Sequence, residues 1–600
     1  MAKAAQALAM TALLQKDDSL RAGGCRQGAA LAPIMPPAVL YLKQHLATAD
    51  RRRLGAVAIL AALQLAAAGL LIWSEADLAA RAAFVLTWGL LNLFWLVLLR
   101  RPMTAAALSL SLIIILIALS QFKHDVLMMT ATFVDVMIID PATFSFLMII
   151  IPGLAWKVGL AVVLAIPVLL MMWRADPFRV PRGVALLGCL GCLGTLTALS
   201  FALPMDREDE FYPHQYVSKF VRSASIATVD LISHGVLEAD AAGPGRLILG
   251  NGGGCQAGRK LPHIVMIFDE SSFDATMLPD VQVPVNYQAR FRSSDHKARS
   301  FVVEGAGGPS WYTEYNVLTG LSVRSYGRFA DSVTRLATGR VKRGLPHALR
   351  ECGYKTYSLY SWFGGFVGAR GFQTTIGIEH FLDAKQLGSG PADTDRFYYD
   401  HAARIIAEQR DNGPVFVFVY LAVNHFPWNY RYRPDLLPGW VNPGNPFEID
   451  EYLRRQELSA HDYRQFKERL GRELPHEQFL LVRFGDHQPL FAKRFLEPAL
   501  DRAEVAQRIL SRDPRYFTTY YALEGLNFQP FDLSSALDTL DAPYLPLVVL
   551  EGAGVPLDAT FVEQKRILNR CRGLFYLCAG GAEARRFNRL LIDAGLIQGF

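Results

Sequence analysis

Four short stretches of this chain carry residues that could do chemistry together. The stretch 262–272, PHIVMIFDESS, runs five apolar residues (264–268) into Asp269 and Glu270. Such a run reads as a buried parallel strand, and carboxylates at its C-terminal end stand where open α/β sheets place their sites. FLLVRFGDHQPLF repeats the arrangement, an apolar run closing on Gly485, Asp486 and His487. A turn at a strand end breaks the alternation of side-chain directions, so an adjacent Asp and His can face one cation. Between the two, GAGGPSWYTEYNVLTG (305–320) sets Ser310 behind three glycines and a proline and before a helical pattern, where a hydroxyl nucleophile can be held at a helix N-terminus. A simple N-cap serine would look the same. In VNHFPWNY, His425 follows a long apolar run.

Glu270, Asp486 and His487 supply two carboxylates and one imidazole. That mixed set suits one Zn²⁺ or Mn²⁺, admits Mg²⁺, and is too rich in nitrogen for a Ca²⁺ cage. The Ser310 oxygen is the candidate fourth ligand.

These residues must be positioned by a sheet. KTYSLY (355–360), PVFVFVYLA (414–422), FLLVRFG (479–485) and PLVVLEG (546–552) read as strands alternating with helical patterns, which predicts a mostly parallel sheet covered by helices. Upstream the character changes. The 600 residues are 51% hydrophobic yet 19% charged, which predicts a membrane region joined to a globular domain. Apolar runs at 54–73, 82–99, 104–121, 157–173 and 183–203 are each near the roughly 20 residues that cross about 30 Å of hydrocarbon. Arg51, Arg52 and Arg53, then Arg100 and Arg101, then Arg174, Arg179 and Arg182 all fall on one face of five such spans. Glu75, Asp77, Asp125, Asp135 and the acidic 206–210 fall on the other. The positive-inside rule therefore puts the arginines in the cytoplasm and the C-terminal two-thirds outside it. Within 123–156, FSFLMIIIPGL is short and broken by proline; it reads as interfacial or re-entrant, and if it crossed, the parity would flip.

The net charge of +6 is small, and no basic stripe with interleaved aromatics is present, so no nucleic-acid partner is expected. Residues 1–50 lack a signal-peptide pattern and read as a cytoplasmic tail. The remaining organisation is a transmembrane region at 51–203, a linker helix and Gly-rich hinge at 204–260, a catalytic domain at 261–555 and a helical segment at 556–600. Cys571 and Cys578 are spaced to close a small loop, bridged or as free thiols.

With these motifs in place, the chain resembles the alkaline-phosphatase/sulfatase superfamily, specifically its membrane-bound lipoteichoic acid synthase-like branch, over the five spans and about 260–555. The resemblance implies a metal site at Glu270, Asp486 and His487, a nucleophile at Ser310 four positions before Glu314, and phosphate binding at Asn424 to Pro427 through His425, with Arg370 and Trp362 of SWFGGFVGARGF beside it. Better-known members of the branch use Thr where this chain has Ser310, which leaves Thr313 as a second candidate. Ser310 is followed by WYTE and lacks the x-Pro-x-Arg that formylglycine sulfatases need. The implied activity is transfer of a phosphoglycerol head group from a phospholipid to a glycan or lipid acceptor through a phospho-serine, by a multi-pass protein of the bacterial inner membrane with its catalytic domain outside. Phosphoethanolamine transfer, hydrolysis by a phosphodiesterase or phosphatase, and a non-catalytic membrane sensor are the alternatives.

Overall fold

The computed structural model describes residues 51–127, 130–137, 153–203, 213–241, 247, 255 and 260–598. FSFLMIIIPGL except its last two residues, the tail 1–50 and most of the Gly-rich hinge lie outside these. The chain divides into two compact units, Met1–Ala58 and Ile59–Phe600. Of the first, only the opening turns of a helix are described.

Among the described residues, five helices are long and apolar enough to cross a membrane: α1 (Arg51–Ser74), α2 (Leu78–Leu99), α3 (Pro102–Leu127), α4 (Leu154–Ala175) and α5 (Arg182–Ala202). Asp77 caps α2 by accepting from Ala80 N at 2.8 Å. Small residues let α2 and α5 close on each other, since a Cβ on Gly188 would meet Leu93 Cδ1 at 2.9 Å. The arginine-bearing loops meet: Val180 N donates to Arg100 O at 3.1 Å, and Met103 N to Asp176 Oδ2 at 2.7 Å. At the other end, Ser218 Oγ of α6 (Tyr216–His234) donates to Glu75 Oε2 at 2.6 Å. The loops that carry Arg100 and Arg179 thus meet at one end of α2, and Glu75 meets α6 at the other.

Eight strands follow: β1 (His263–Asp269), β2 (Arg299–Val302), β3 (Lys355–Tyr360), β4 (His380–Asp383), β5 (Val415–Tyr420), β6 (Phe479–Gly485), β7 (Thr518–Leu526) and β8 (Thr539–Asp541). They form one sheet in the order β4-β3-β5-β1-β6-β7-β2-β8. The five strands from β4 to β6 are parallel, β7 runs antiparallel to both neighbours, and β2 is parallel to β8. The central strands are apolar throughout because both faces are covered. Ile264, Met266 and Phe268 face one core, whereas Val265 and Ile267 face another with Val417, Val419 and Leu481.

Four helices bear on the site: α7 (Ser310–Thr319), α8 (Ala369–Thr375), α9 (Asp395–Gln409) and α10 (Phe447–Glu473). The stretch 546–552 is not a strand but part of α11 (Leu545–Ala553), every residue of which is buried. A short apolar run does not distinguish a buried strand from a buried helix; Pro546 in its first turn and Gly554 in the left-handed conformation just past its end are the helical signals. Two further helices, α12 (Ala559–Cys571) and α13 (Ala582–Asp593), close the chain. Disulfides join Cys571 to Cys578 and Cys255 to Cys352.

Asp331 links the end of α3 to the segment that carries Ser310. Lys123, near the end of α3, lies 2.8 Å from Asp135 Oδ1 and 3.8 Å from Asp331 Oδ2. Asp331 in turn accepts from Tyr312 OH at 2.5 Å and, through its carbonyl, from Trp311 Nε1 at 3.1 Å.

Candidate active site

The four central residues arrive from three chain segments, and the backbone explains why they meet. β1 ends on Asp269, and Ser271 then takes a left-handed conformation (φ 50) that turns the chain. Asp269 and Glu270 consequently part. Asp269 accepts from Tyr520 OH at 2.6 Å, away from the cluster, and burial pushes its carboxyl up. Glu270 faces β6. There Gly485 is required by space: a Cβ would lie 1.8 Å from Ser272 O. With that close approach, Ser271 N donates to Asp486 Oδ1 at 2.7 Å and pins the carboxylate beside Glu270.

Ser310 is the first residue of α7, with Pro309 at the cap position. Its hydroxyl does not cap the helix. Oγ lies 3.2 Å from Glu270 Oε2, 3.1 Å from His487 Nε2 and 3.5 Å from Gly308 O. His487 Nε2 lies 3.4 Å from Glu270 Oε1 and 3.2 Å from Asp486 Oδ2. Glu270 is 1% exposed and Asp486 0%.

Electrostatics set these groups apart. Burial disfavours both carboxylates, but hydrogen bonding and attraction from His487 hold Glu270 well down, to about 2. Burial and then repulsion from Glu270 push Asp486 up to about 8. Burial opposes the charge on His487, yet the two carboxylates outweigh it and raise the imidazole to about 9.

The same three side chains fit a divalent cation. Their donor atoms lie within 4.8 Å of one another. Asp486 Oδ2 is buried and accepts no hydrogen bond. His487 Nδ1 sits 2.8 Å from Gln488 O, which makes Nδ1 an N–H donor and turns Nε2 toward the cluster, where the neutral ring offers a lone pair.

Around this core the sequence candidates fall into two groups. His425 and Trp362 are together, ring centroids 4.8 Å apart, and burial pulls His425 below the usual imidazole range although Glu270 attracts its charge. Arg370 is pulled elsewhere. Its guanidinium donates to Asp383 Oδ2 at 2.7 Å, Gln386 Oε1 at 2.6 Å and Phe381 O at 2.9 Å, on the β4 side of the sheet. Thr313 is fully buried and donates to Asp486 O at 2.7 Å, so its hydroxyl supports the loop. Glu314 Oε1 accepts from Gln373 Nε2 at 2.8 Å, and burial pushes its carboxyl to about 7.

Two further side chains join the cluster, Tyr420 without any signal in the sequence and Asn424 known there only as the start of the phosphate motif. Tyr420 OH donates to Glu270 Oε2 at 3.2 Å, and Asn424 Nδ2 to Ser271 O at 3.3 Å while its Oδ1 is buried without a partner. Tyr420 ends β5 in register with Phe268, so pairing β1 with β5 would have brought it to Glu270.

Residues 309–499 match the family model described as Sulfatase. No curated protein sequence matches the chain. Among solved structures it is similar to the phosphoglycerol transferase GacH of Streptococcus pyogenes, in complex with sn-glycerol-1-phosphate, at 14% identity and a TM-score of 0.43 over 56% of this chain and 87% of that one. The lipoteichoic acid synthase LtaP of Listeria monocytogenes follows at 15% identity and a TM-score of 0.38, over 56% and 79%. The integral membrane lipooligosaccharide phosphoethanolamine transferase EptA of Neisseria meningitidis matches at 14% identity and a TM-score of 0.38, over 69% and 83%.

Proposed function

We propose, from the sulfatase-family domain carried by residues 309–499, that this protein is a membrane-anchored phosphotransferase that moves a phosphoglycerol head group from a phospholipid to an acceptor hydroxyl through a phospho-serine. The observation that carries the reading is the setting of Ser310. Its hydroxyl stands at a helix N-terminus between a carboxylate and an imidazole, 3.2 and 3.1 Å away. A serine serving only the helix would have no reason to face them.

Glu270, Asp486 and His487 would hold one divalent cation, zinc or manganese by donor type, with Ser310 Oγ as its fourth ligand. A cation held there acidifies a neighbouring hydroxyl and offsets charge on phosphoryl oxygens. The chain's own atoms do the rest. Ser310 Oγ attacks phosphorus, its proton passing to the Glu270 carboxylate 3.2 Å away; the Oγ–P bond forms as the bond to diacylglycerol breaks, and diacylglycerol departs carrying a proton. His425, against Trp362, binds the phosphate. An acceptor hydroxyl on a glycan or lipid then takes the phosphoglycerol and Ser310 regains its proton. Water in that role would make the enzyme a phosphodiesterase.

The anchor fits this chemistry, because five apolar helices keep the site beside its lipid donor at high effective concentration. The positive-inside rule, applied to the arginine loops, supports an orientation with the domain outside the cytoplasm of a bacterial inner membrane. Protease added to intact spheroplasts should cut the domain; complete protection would reverse the orientation.

Purified protein supplied with phosphatidylglycerol vesicles should release diacylglycerol, and Ser310→Ala should lose at least about a thousandfold in rate. Ser310→Thr should keep measurable activity. A phosphoglyceryl adduct on Thr313, or near-normal turnover in Ser310→Ala, would overturn the assignment. Turnover on phosphatidylethanolamine alone would shift the cargo to phosphoethanolamine.

A further inference from the structure

Lys493 takes no part in the cluster at Ser310, yet it stands against it. It lies six residues beyond His487, in the short helix Ala492–Leu496, and its side chain packs on the glycine turn that leads into Ser310. A Cβ on Gly307 would meet Lys493 Cε at 3.1 Å and Nζ at 3.4 Å, and Gly307 itself has φ +69. Glycine at 307 therefore keeps room for the lysine's end. The next residue of that turn, Gly308, offers the carbonyl that lies 3.5 Å from Ser310 Oγ. The lysine tip is thus placed at the entrance to the nucleophile's own turn.

Its neighbours in sequence and space are partnered. Arg494 Nη2 lies 2.9 Å from Glu448 Oε2, Arg515 Nη2 lies 2.6 Å from Asp513 Oδ2, and Arg512 Nη1 donates to Glu304 O at 2.9 Å. Lys493 has no hydrogen bond and no ion pair among the described residues. Burial with no facing carboxylate pulls its ammonium down to about 8, so it still carries its charge at neutral pH. Lys493 is half-buried, so its unpaired ammonium is reachable, and a ligand that brings oxygen acceptors supplies the partners it lacks.

We propose that Lys493 determines head-group specificity at this site: its Nζ donates hydrogen bonds to the hydroxyl oxygens of an uncharged polyol head group and repels a head group that carries its own ammonium. The inference rests on the transferase reading above. It takes the choice between glycerol and ethanolamine to be electrostatic, made by one unpaired cation that packs on Gly307.

The test compares wild type, Lys493→Arg, Lys493→Met and Lys493→Glu in vesicles of phosphatidylglycerol or phosphatidylethanolamine, reading diacylglycerol release. Wild type and Lys493→Arg should favour phosphatidylglycerol. The ratio of the two rates should fall about tenfold in Lys493→Met, and Lys493→Glu should favour phosphatidylethanolamine. Thermal unfolding of each variant near the wild-type temperature separates specificity from folding, and Lys493→Met keeps the test alive if the glutamate variant does not fold. An active wild type whose ratio is unchanged in the Met and Glu variants overturns this inference alone. Silence of the wild type on both lipids overturns the transferase reading and this inference with it.

Discussion

Two clusters of buried charge lie on either side of the His425 loop, and they are built on opposite principles. In the cage at the start of α10, Glu451 Oε1 accepts from Arg455 Nε at 2.7 Å and Tyr432 N at 2.9 Å, while Oε2 accepts from Arg454 Nε at 2.9 Å and Arg431 Nη1 at 3.0 Å. Asp450 takes Arg431 and, at 2.9 Å, Trp440 Nε1. Every side-chain oxygen of the two acids has a donor. In the cluster at Ser310, two carboxylates face each other, Asp486 Oδ2 accepts nothing, and Asn424 Oδ1 has no partner. Buried charge that is fully satisfied is scaffold; buried charge left open is where a ligand belongs. The cage also serves the site, because Arg455 donates at 2.9 Å to the carbonyls of His425 and Pro427 and so fixes the loop that presents His425.

The largest effect that sharpens this contrast concerns the cation. His487→Ala should lose bound metal altogether by elemental analysis and lower transfer by orders of magnitude, as should Asp486→Asn, whereas no cage variant should change metal content. Full metal content in His487→Ala would break the contrast at its root. Affinity should also depend on pH with a fixed sign. In the metal-free protein burial and repulsion from Glu270 push the Asp486 carboxyl up, to about 8, and the neighbouring carboxylates push the His487 imidazole up, to about 9, so the pair holds protons more tightly than free side chains do. A cation must displace them, and its affinity therefore falls as pH is lowered through these values, by up to about tenfold per pH unit for each proton released. Calorimetric titration with Mn²⁺ at pH 9 and pH 7 reads this directly, and equal affinities would contradict it.

The cage should fail through stability instead. Glu451→Gln leaves Arg431, Arg454 and Arg455 short of a buried counter-charge and should cost about 3–5 kcal/mol in chemical denaturation. Its arginines hold the Glu451 carboxyl below the usual range against the effect of burial. The wild-type stability from this group is accordingly present above the ordinary carboxylate pKa and lost as pH falls through the lowered one. A stable Glu451→Gln with reduced metal content would mean that the two clusters had been assigned the wrong way round.

Much of the site was legible in the sequence because parallel strands buried on both faces read as unbroken apolar runs, and Glu270, Asp486 and His487 sit where two such runs stop. The five apolar helices were legible for the same reason of length and composition. The failures share a cause as well. PLVVLEG and the helix α11 it forms are apolar on every side, so periodicity was silent. The cage was invisible because FEIDEYLRRQEL reads as a solvated helix; only the loop 428–446 folding over it makes its charges buried. Arg370 shares its stretch with Trp362, but Asp383, thirteen residues on at the end of β4, takes its guanidinium. A sequence does not rank competing carboxylates.

Glu314 tests where the line between the two kinds of charge runs, and its effect should be the smallest. It lies one helical turn beyond Ser310, at the spacing the resembling family would lead one to expect, but its company is mixed: Gln373 on one oxygen and nothing on the other. Burial raises its carboxyl from the ordinary 4.5 to about 7. The unfolded chain thus releases its proton at a lower pH than the folded one, and wild-type stability should decline as pH rises from about 4.5 to about 7, then level off. Glu314→Gln removes that proton while keeping the shape. The variant should show a flatter pH profile and gain about 1 kcal/mol above pH 7, less than the full titration penalty because the new amide also lacks a second partner. Metal content and diacylglycerol release should change little. If the carboxylate instead serves the site, Glu314→Gln will lose activity with no gain in stability, and the open cluster will extend a full turn down α7.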